Sequence, residues 1–199
     1  ADAWTNKVNQ YELMELEERL EAFMASRTPT TIEELQNVEV LPGLKFPEQT
    51  FPILSLSPDN FWRIEAEVYL SNRKLDPKDY LICMGGDYKN RIIIPYYDSD
   101  AKLIYWNARF LGDNDSIPKY LGPHKDQGVG KGDVIYIAGG ENGWPPPKSK
   151  LYLTEGEFDA KSLSNCGYYA GAIGGKAIED KQISLLQDYI PVLCFDTDS

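Results

Sequence analysis

Two sets of carboxylates follow short apolar runs near the end of the chain. The first is Glu155, in Thr154-Glu155-Gly156-Glu157-Phe158-Asp159-Ala160, directly after Leu151-Tyr152-Leu153. The second is Asp196-Thr197-Asp198, directly after the run from Pro191 to Phe195. If both runs are strands of one parallel sheet, the acids meet at the C-terminal strand ends, where ligands gather in open α/β sheets. Asp196 and Asp198 alternate, so the backbone must bend for both to face one cation. Crowded carboxylates repel one another unless a cation sits among them. A donor set of oxygens without His or Cys favours Mg²⁺ or Mn²⁺ over zinc. Such ions stabilise the attacking and leaving oxygens of phosphoryl transfer. Any one of these acids reads equally well as a solvated cap; the two motifs in order carry the metal-site expectation.

The elements around these acids are regular. Gly156 opens a turn after Glu155, and a helix is expected to about Cys166, with Gly167 at its C′ position. Tyr168 to Ile173 reads as a strand, and Gly174-Gly175 as a tight loop. Gly174-Gly175-Lys176 could bring backbone and Lys176 close to a phosphate; the alternative is a plain turn. Ala177 to Tyr189 reads as a helix with Ile178, Leu185, Leu186 and Tyr189 inward. Pro191 to Phe195 completes β-α-β-α-β, which implies parallel strands with right-handed crossovers.

Upstream, Leu13, Leu16, Leu20, Phe23 and Met24 recur at helical spacing among glutamates, predicting an amphipathic helix over 11–24. Thr31-Ile32-Glu33-Glu34 resembles a capping box. Val40 to Pro58, with Pro42, Pro47, Pro52 and Pro58, is expected to wrap the core irregularly. Ser57-Pro58 reads as N-cap and N1 of a helix running to about Asn72, with Phe61, Ile64, Val68 and Tyr69 on one side. Asp76-Pro77 opens a short helix. Arg91 to Tyr97 is a strand, Asp98-Ser99-Asp100 a turn, and Leu103 to Trp106 the return strand of a hairpin. A strand is expected over Asp133 to Ala138, and a linker from Gly139 to Lys150 around Pro145, Pro146 and Pro147.

Composition sets limits. The 199 residues are 42% hydrophobic and 26% charged, as in globular proteins, and suffice for one large domain or two small ones. A net charge of −11 argues against a surface that coats nucleic acid generally, though not against a local basic channel. No apolar stretch is long enough to span a bilayer, and Ala1-Asp2-Ala3-Trp4 has no signal-peptide pattern. Cys83, Cys166 and Cys194 are far apart and form no CxxC pair. They are expected as buried free thiols, in a reducing cytoplasm. His124 is the only histidine, expected at the surface.

With Leu151 to Ala160 and Val192 to Asp198 in view, the sequence resembles the TOPRIM module. That module occurs in DnaG-type primases, topoisomerases, and some nucleases and recombination proteins. The resemblance implies that Glu155 is an acid/base or metal group, that Asp196 and Asp198 bind metal, and that Asp159 supports the catalytic site. The upstream half narrows the choice. Arg91 to Tyr96, Lys102 to Leu111, Pro118 to Pro123, and the stretch from Ala66 to Leu75 are similar to the N-terminal subdomain of DnaG-like primase cores, notably phage ones. There the residues matching Arg91, Arg109 and Lys119 form a basic surface for template and nucleotides. Tyr96, Tyr97, Tyr105, Trp106 and Tyr120 interleave with these cations and suit base stacking, with ordinary strand packing as the alternative.

The expected fold is therefore α/β: an α+β subdomain followed by a partial Rossmann-like TOPRIM sheet. The expected organisation is a helical or irregular segment over 1–56, the primase-core subdomain over 57–148, and a partial TOPRIM subdomain over 149–199. The family's usual zinc-binding cluster has no counterpart in the sequence, and its module continues past Asp-x-Asp. The resemblance thus implies a segment of a larger primase or primase-helicase. It would act in the cytoplasm, a host's if phage-encoded, with single-stranded DNA, NTPs and a replicative helicase as partners. A TOPRIM nuclease or topoisomerase, or a non-catalytic replisome module, are the competing readings.

Overall fold

In the computed structural model, residues 31–33, 43–139 and 143–196 are described. The expected helix at 11–24 and Asp198 lie outside them, as does Glu34 of the capping box, of which Ile32 and Glu33 are helical.

The apolar run Arg91-Ile92-Ile93-Ile94-Pro95-Tyr96-Tyr97 sets the architecture. Every residue of this strand is buried, so it must be covered on both faces. It is the third strand, β3 (Arg91–Tyr97), of an antiparallel sheet ordered β1-β2-β3-β4-β5. Its neighbours are β1 (Thr50–Pro52), β2 (Leu81–Cys83), β4 (Leu103–Phe110) and β5 (Tyr120–Leu121). The hairpin pairs Ile93 with Ala108 and Tyr96 with Tyr105, and its register shifts between Tyr96 and Tyr97. Pro95 lies past Ile93, the last residue paired with β2, where β3 outruns its neighbour and a residue without N–H is tolerated. The side-chain alternation of a strand then builds two cores. Ile92, Ile94 and Tyr96 face one, with Tyr105, while Ile93 and Tyr97 face the other, with Leu103 and Trp106.

A second sheet is ordered β6-β8-β7-β9, from β6 (Tyr136–Ala138), β7 (Lys150–Thr154), β8 (Ala170–Ala172) and β9 (Ile190–Leu193). Strand β7 is parallel to both β8 and β9, and β6 is antiparallel to β8. The predicted β-α-β-α-β run is present as β7, α2 (Glu157–Asn165), β8, α3 (Asp180–Leu185) and β9. Gly167 is left-handed just after α2, as a C′ glycine should be. Tyr136, Phe158, Ala160, Ala170 and Ala172 share one core with Ile94 and Tyr96, so the two sheets close on a common interior.

Several local expectations are corrected. Helix α1 (Phe61–Ser71) starts after Asn60, whose side chain accepts from the Trp62 and Arg63 amides at 2.9 and 3.2 Å. Ser57 instead closes a turn onto Asn60 N–H at 2.9 Å. The expected apolar side of α1 points outward: Phe61 is 61% exposed, and Ile64 and Val68 are exposed too. Ala66 and Leu70 are the buried positions, and Arg63 donates to the Leu56 carbonyl at 2.7 Å. The second predicted helix shrinks to α3, because Glu179 and Gln182 cap it and buried Gln182 donates to the Val134 and Ile173 carbonyls at 2.8 and 3.0 Å. Leu186 stays inward and Leu185 turns to solvent. Cys83 is a buried free thiol, but Cys166 and Cys194 are exposed, one capping α2 and the other just beyond edge strand β9. Two strands pair across the expected boundaries: β1 joins the first sheet and β6 the second.

Candidate metal and nucleic-acid site

The acids gather because β7 and β9 are parallel neighbours. Leu153 is opposite Leu193, and Cys194 N–H continues the ladder onto the Leu153 carbonyl at 2.8 Å. Continuing that register puts Asp196 one residue beyond the position opposite Glu155. The Thr154 hydroxyl donates to the Gly156 carbonyl at 2.8 Å and steadies the turn into α2. Gly156 itself is extended at φ −111°, so the sharp turn does not need glycine for its dihedral. A Cβ there would stand 3.1 Å from the Asp159 carboxylate, so close approach is what favours glycine.

Asp159, in the first turn of α2, sits where these acids converge. Its carboxyl is raised above the ordinary value, first by desolvation and then by Asp196, Glu157 and Glu155, while Arg73 opposes the shift. Asp159 thus feels both Glu155 and Asp196. Among the described residues no three Asp, Glu, His or Cys side chains are grouped so that they could hold a metal ion. Carboxylate oxygens as a donor type suit Mg²⁺ or Mn²⁺ rather than zinc.

The basic residues occupy different situations. Arg91 is 2% exposed, and its guanidinium lies 5.1 Å over the Phe110 ring and donates to the Ala108 carbonyl at 3.3 Å. Burial lowers its pKa, and Arg109 nearby adds to this while Tyr88 opposes it. Arg109 is half-buried between two rings. It donates to the Tyr69 hydroxyl at 3.0 Å and lies 5.2 Å from the Tyr120 ring. Lys119 is exposed beside it. Arg109, Phe110 and Lys119, with the 112–118 loop, line a cleft of about 390 Å³. Lys176 is exposed in the loop after β8, at the same end of the parallel sheet as Glu155. Gly174 there is left-handed, and a Cβ on it would meet the Lys131 stem at 2.5 Å. The glycine pair thus makes a tight turn packed on lysine.

Of the interleaved aromatics, Tyr96, Tyr97, Tyr105 and Trp106 are buried in the sheet cores, and only Tyr120 reaches solvent. His124 is exposed, with its ring 5.5 Å from that of Tyr88.

Two residues escaped sequence reasoning. Arg73, just past α1, lies 5.0 Å from the Tyr69 ring and 5.4 Å from Phe158, and it faces Asp159. Arg73, Tyr69, Arg109 and Tyr120 form an alternating ladder of cations and rings from the acids toward the cleft. Glu157 is 2% exposed and accepts from the Tyr96 hydroxyl at 2.5 Å and the Asn107 amide at 2.6 Å. The only signal for Glu157 was an acid at a position where α2 must face the core.

No protein-family profile matches the chain. Among curated proteins, the DNA primase of Mycoplasma genitalium is 27% identical over 117 residues, 56% of this chain and 19% of the relative. The DNA primase of Geobacillus stearothermophilus is 26% identical over 115 residues, 57% of this chain and again 19% of the relative. The chain therefore spans about a fifth of the curated relatives it matches. Among solved structures, a DnaG primase catalytic domain bound to single-stranded DNA superposes with a TM-score of 0.52 at 22% identity, over 70% of this chain and 56% of that one. The RNA polymerase domain of Mycobacterium tuberculosis DnaG gives 0.54 at 15%, over 71% and 62%. These two likenesses establish the fold. In sequence the chain is similar to segments of two bacterial DNA primases, and in fold to DnaG primase catalytic domains.

Proposed function

We propose that this chain supplies the part of a primase catalytic core that holds single-stranded template, incoming NTP and divalent cation during RNA primer synthesis. What supports this reading is the parallel pairing of β7 with β9, which carries Glu155 and Asp196 to the same end of the sheet as Asp159, with Arg73 and Arg109 leading away toward a cleft. The β-α-β-α-β module is read as TOPRIM on the strength of its two acid motifs and its topology.

Glu155 and Asp196 would hold Mg²⁺ or Mn²⁺, with Asp198 as a further ligand and Asp159 in support. A bound cation supplies charge stabilisation for the attacking and leaving oxygens of nucleotidyl transfer. The chain's own residues do the rest. Arg109 and Lys119 present cations to phosphates of template or triphosphate at the cleft. Tyr120 offers an exposed ring beside Arg109, suited to weak, sequence-tolerant stacking on a base. Arg91 is held inside the sheet, where it braces β4 and the Lys119 backbone rather than touching solvent. Lys176 is read as a phosphate contact from the rim.

Incorporation of labelled NTPs on single-stranded DNA tests this reading. Template-dependent oligoribonucleotides that disappear in Glu155→Gln and Asp196→Asn support it. Metal-dependent nicking of plasmid DNA without NTPs, lost in the same variants, would instead indicate a TOPRIM nuclease.

A further inference from the structure

Glu155 and Asp159 follow a strand of one sheet and the Arg109 cleft borders the other, and something must fix one against the other. Helix α2 begins two residues after Glu155 and carries Asp159 in its first turn. Between them Glu157 points away from solvent, into the antiparallel sheet. Its two donors come from adjacent strands: Tyr96 from β3 and Asn107 from β4. In the hairpin register Ile94 is opposite Asn107 and Tyr96 opposite Tyr105, so the donors are diagonal neighbours on one face. Both are themselves buried, as is the carboxylate. Asn107 is two residues from Arg109 on the same strand, so it projects to the same side of β4.

We propose that Glu157 is a positioning residue, whose buried carboxylate pins the start of α2, and with it Glu155 and Asp159, to the sheet that bears Arg109. A carboxylate buried in an apolar interior is retained only where its oxygens are well satisfied. An apolar side chain would fill the space equally well but would leave α2 free to slide on a greasy interface. Two donors from two strands onto a single oxygen specify one docking geometry. The consequence for catalysis rests on the primase reading; the docking role does not.

The distinction from a metal ligand is testable, because Gln keeps an acceptor oxygen for both donors and removes the carboxylate. Pulsed EPR distances between spin labels on native Cys166, which is exposed at the end of α2, and on a cysteine introduced by Asp100→Cys at the exposed hairpin turn read the docking directly. Cys194→Ser removes the other exposed thiol, and Cys83 is buried. Narrow distances are expected in the parent and in Glu157→Gln, and broadened or shifted ones in Glu157→Ala. Tyr96→Phe removes one donor while keeping the ring, so it is expected to broaden the distances less, and it carries the measurement if Glu157→Ala does not fold. In NTP incorporation, Glu157→Gln is expected to stay near the parent rate. Glu157→Ala is expected to lose about a hundredfold, the scale of an ångström misplacement, mainly in kcat. Unchanged distances in both Glu157→Ala and Tyr96→Phe would overturn the proposal, whatever the activity. So would a Glu157→Gln chain as inactive as Glu155→Gln with its distances intact, since the carboxylate would then act on the reaction itself. Absence of incorporation by the parent bears on the primase reading alone.

Discussion

Strands β3 and β9 are both apolar runs, yet they live in opposite surroundings. All seven residues of β3 are buried, paired by β2 and β4 and covered on both faces. Among the described residues β9 pairs with β7, and Leu193 is 58% exposed. The first sheet thus buries its central strand completely, whereas β9 is largely exposed among the described residues. The contrast separates two tasks. The first sheet fixes Arg91, Asn107 and Arg109 by burial and hydrogen bonds, and the second carries Glu155 and Asp196 just past the ends of β7 and β9.

The comparison can be broken by substitutions on either side. The largest stability effect is expected in the scaffold. Trp106 is fully buried and its indole N–H donates to the Lys45 carbonyl at 2.8 Å. Trp106→Ala should cost about 3–5 kcal/mol in denaturant unfolding, whereas Leu193→Ala on β9 should cost under about 0.5 kcal/mol. Equal losses would contradict the division. Next comes the helix that carries Tyr69 and leads into Arg73: Asn60→Ala removes the cap of α1 and should cost about 1 kcal/mol, read by thermal unfolding.

The smallest effect is expected at the surface of the second sheet's support. Lys181 pairs with Asp133 at 2.5 Å, tying α3 to the turn before β6. Hydrogen bonds from Lys181 and from the Gly130 amide hold the Asp133 carboxyl below its ordinary 3.8. A carboxyl lowered on folding stabilises above the unfolded value and loses that contribution as pH falls through the folded one. Asp133→Asn should therefore cost at most a few tenths of a kcal/mol at neutral pH. In unfolding curves taken down a pH series, that difference should vanish once the pH lies well below 3.8.

The same contrast explains what was legible in the sequence. The hairpin was readable because a continuous apolar run with Asp98-Ser99-Asp100 after it has few other uses. The β-α-β-α-β order was readable from glycines and apolar runs, and Glu155 and Asp196 follow β7 and β9. Strands β1, β2 and β5 carry two or three residues each, too few for any periodicity to register. The outward face of α1 is not legible because Phe61, Ile64 and Val68 make a good apolar stripe, while the core takes Ala66 and Leu70 and Arg63 is tied to the Leu54 and Leu56 carbonyls just upstream. The aromatics invited a stacking role by type and spacing, but strand alternation buries all except Tyr120. Arg73 and Glu157 gain their meaning from contacts across tens of residues, which local spacing does not encode.

On the site itself, Arg109→Ala is expected to weaken binding of single-stranded DNA or NTP while leaving the acids in place, and fluorescence anisotropy across salt concentrations would measure it. The central claim, that the open end of the second sheet is a divalent-cation site, is tested most directly by Mn²⁺ titration followed by EPR on the unmodified chain and on Glu155→Gln combined with Asp196→Asn. The account predicts saturable binding to the unmodified chain that is lost in the double variant. Equal binding by both chains would place the cation elsewhere and contradict it.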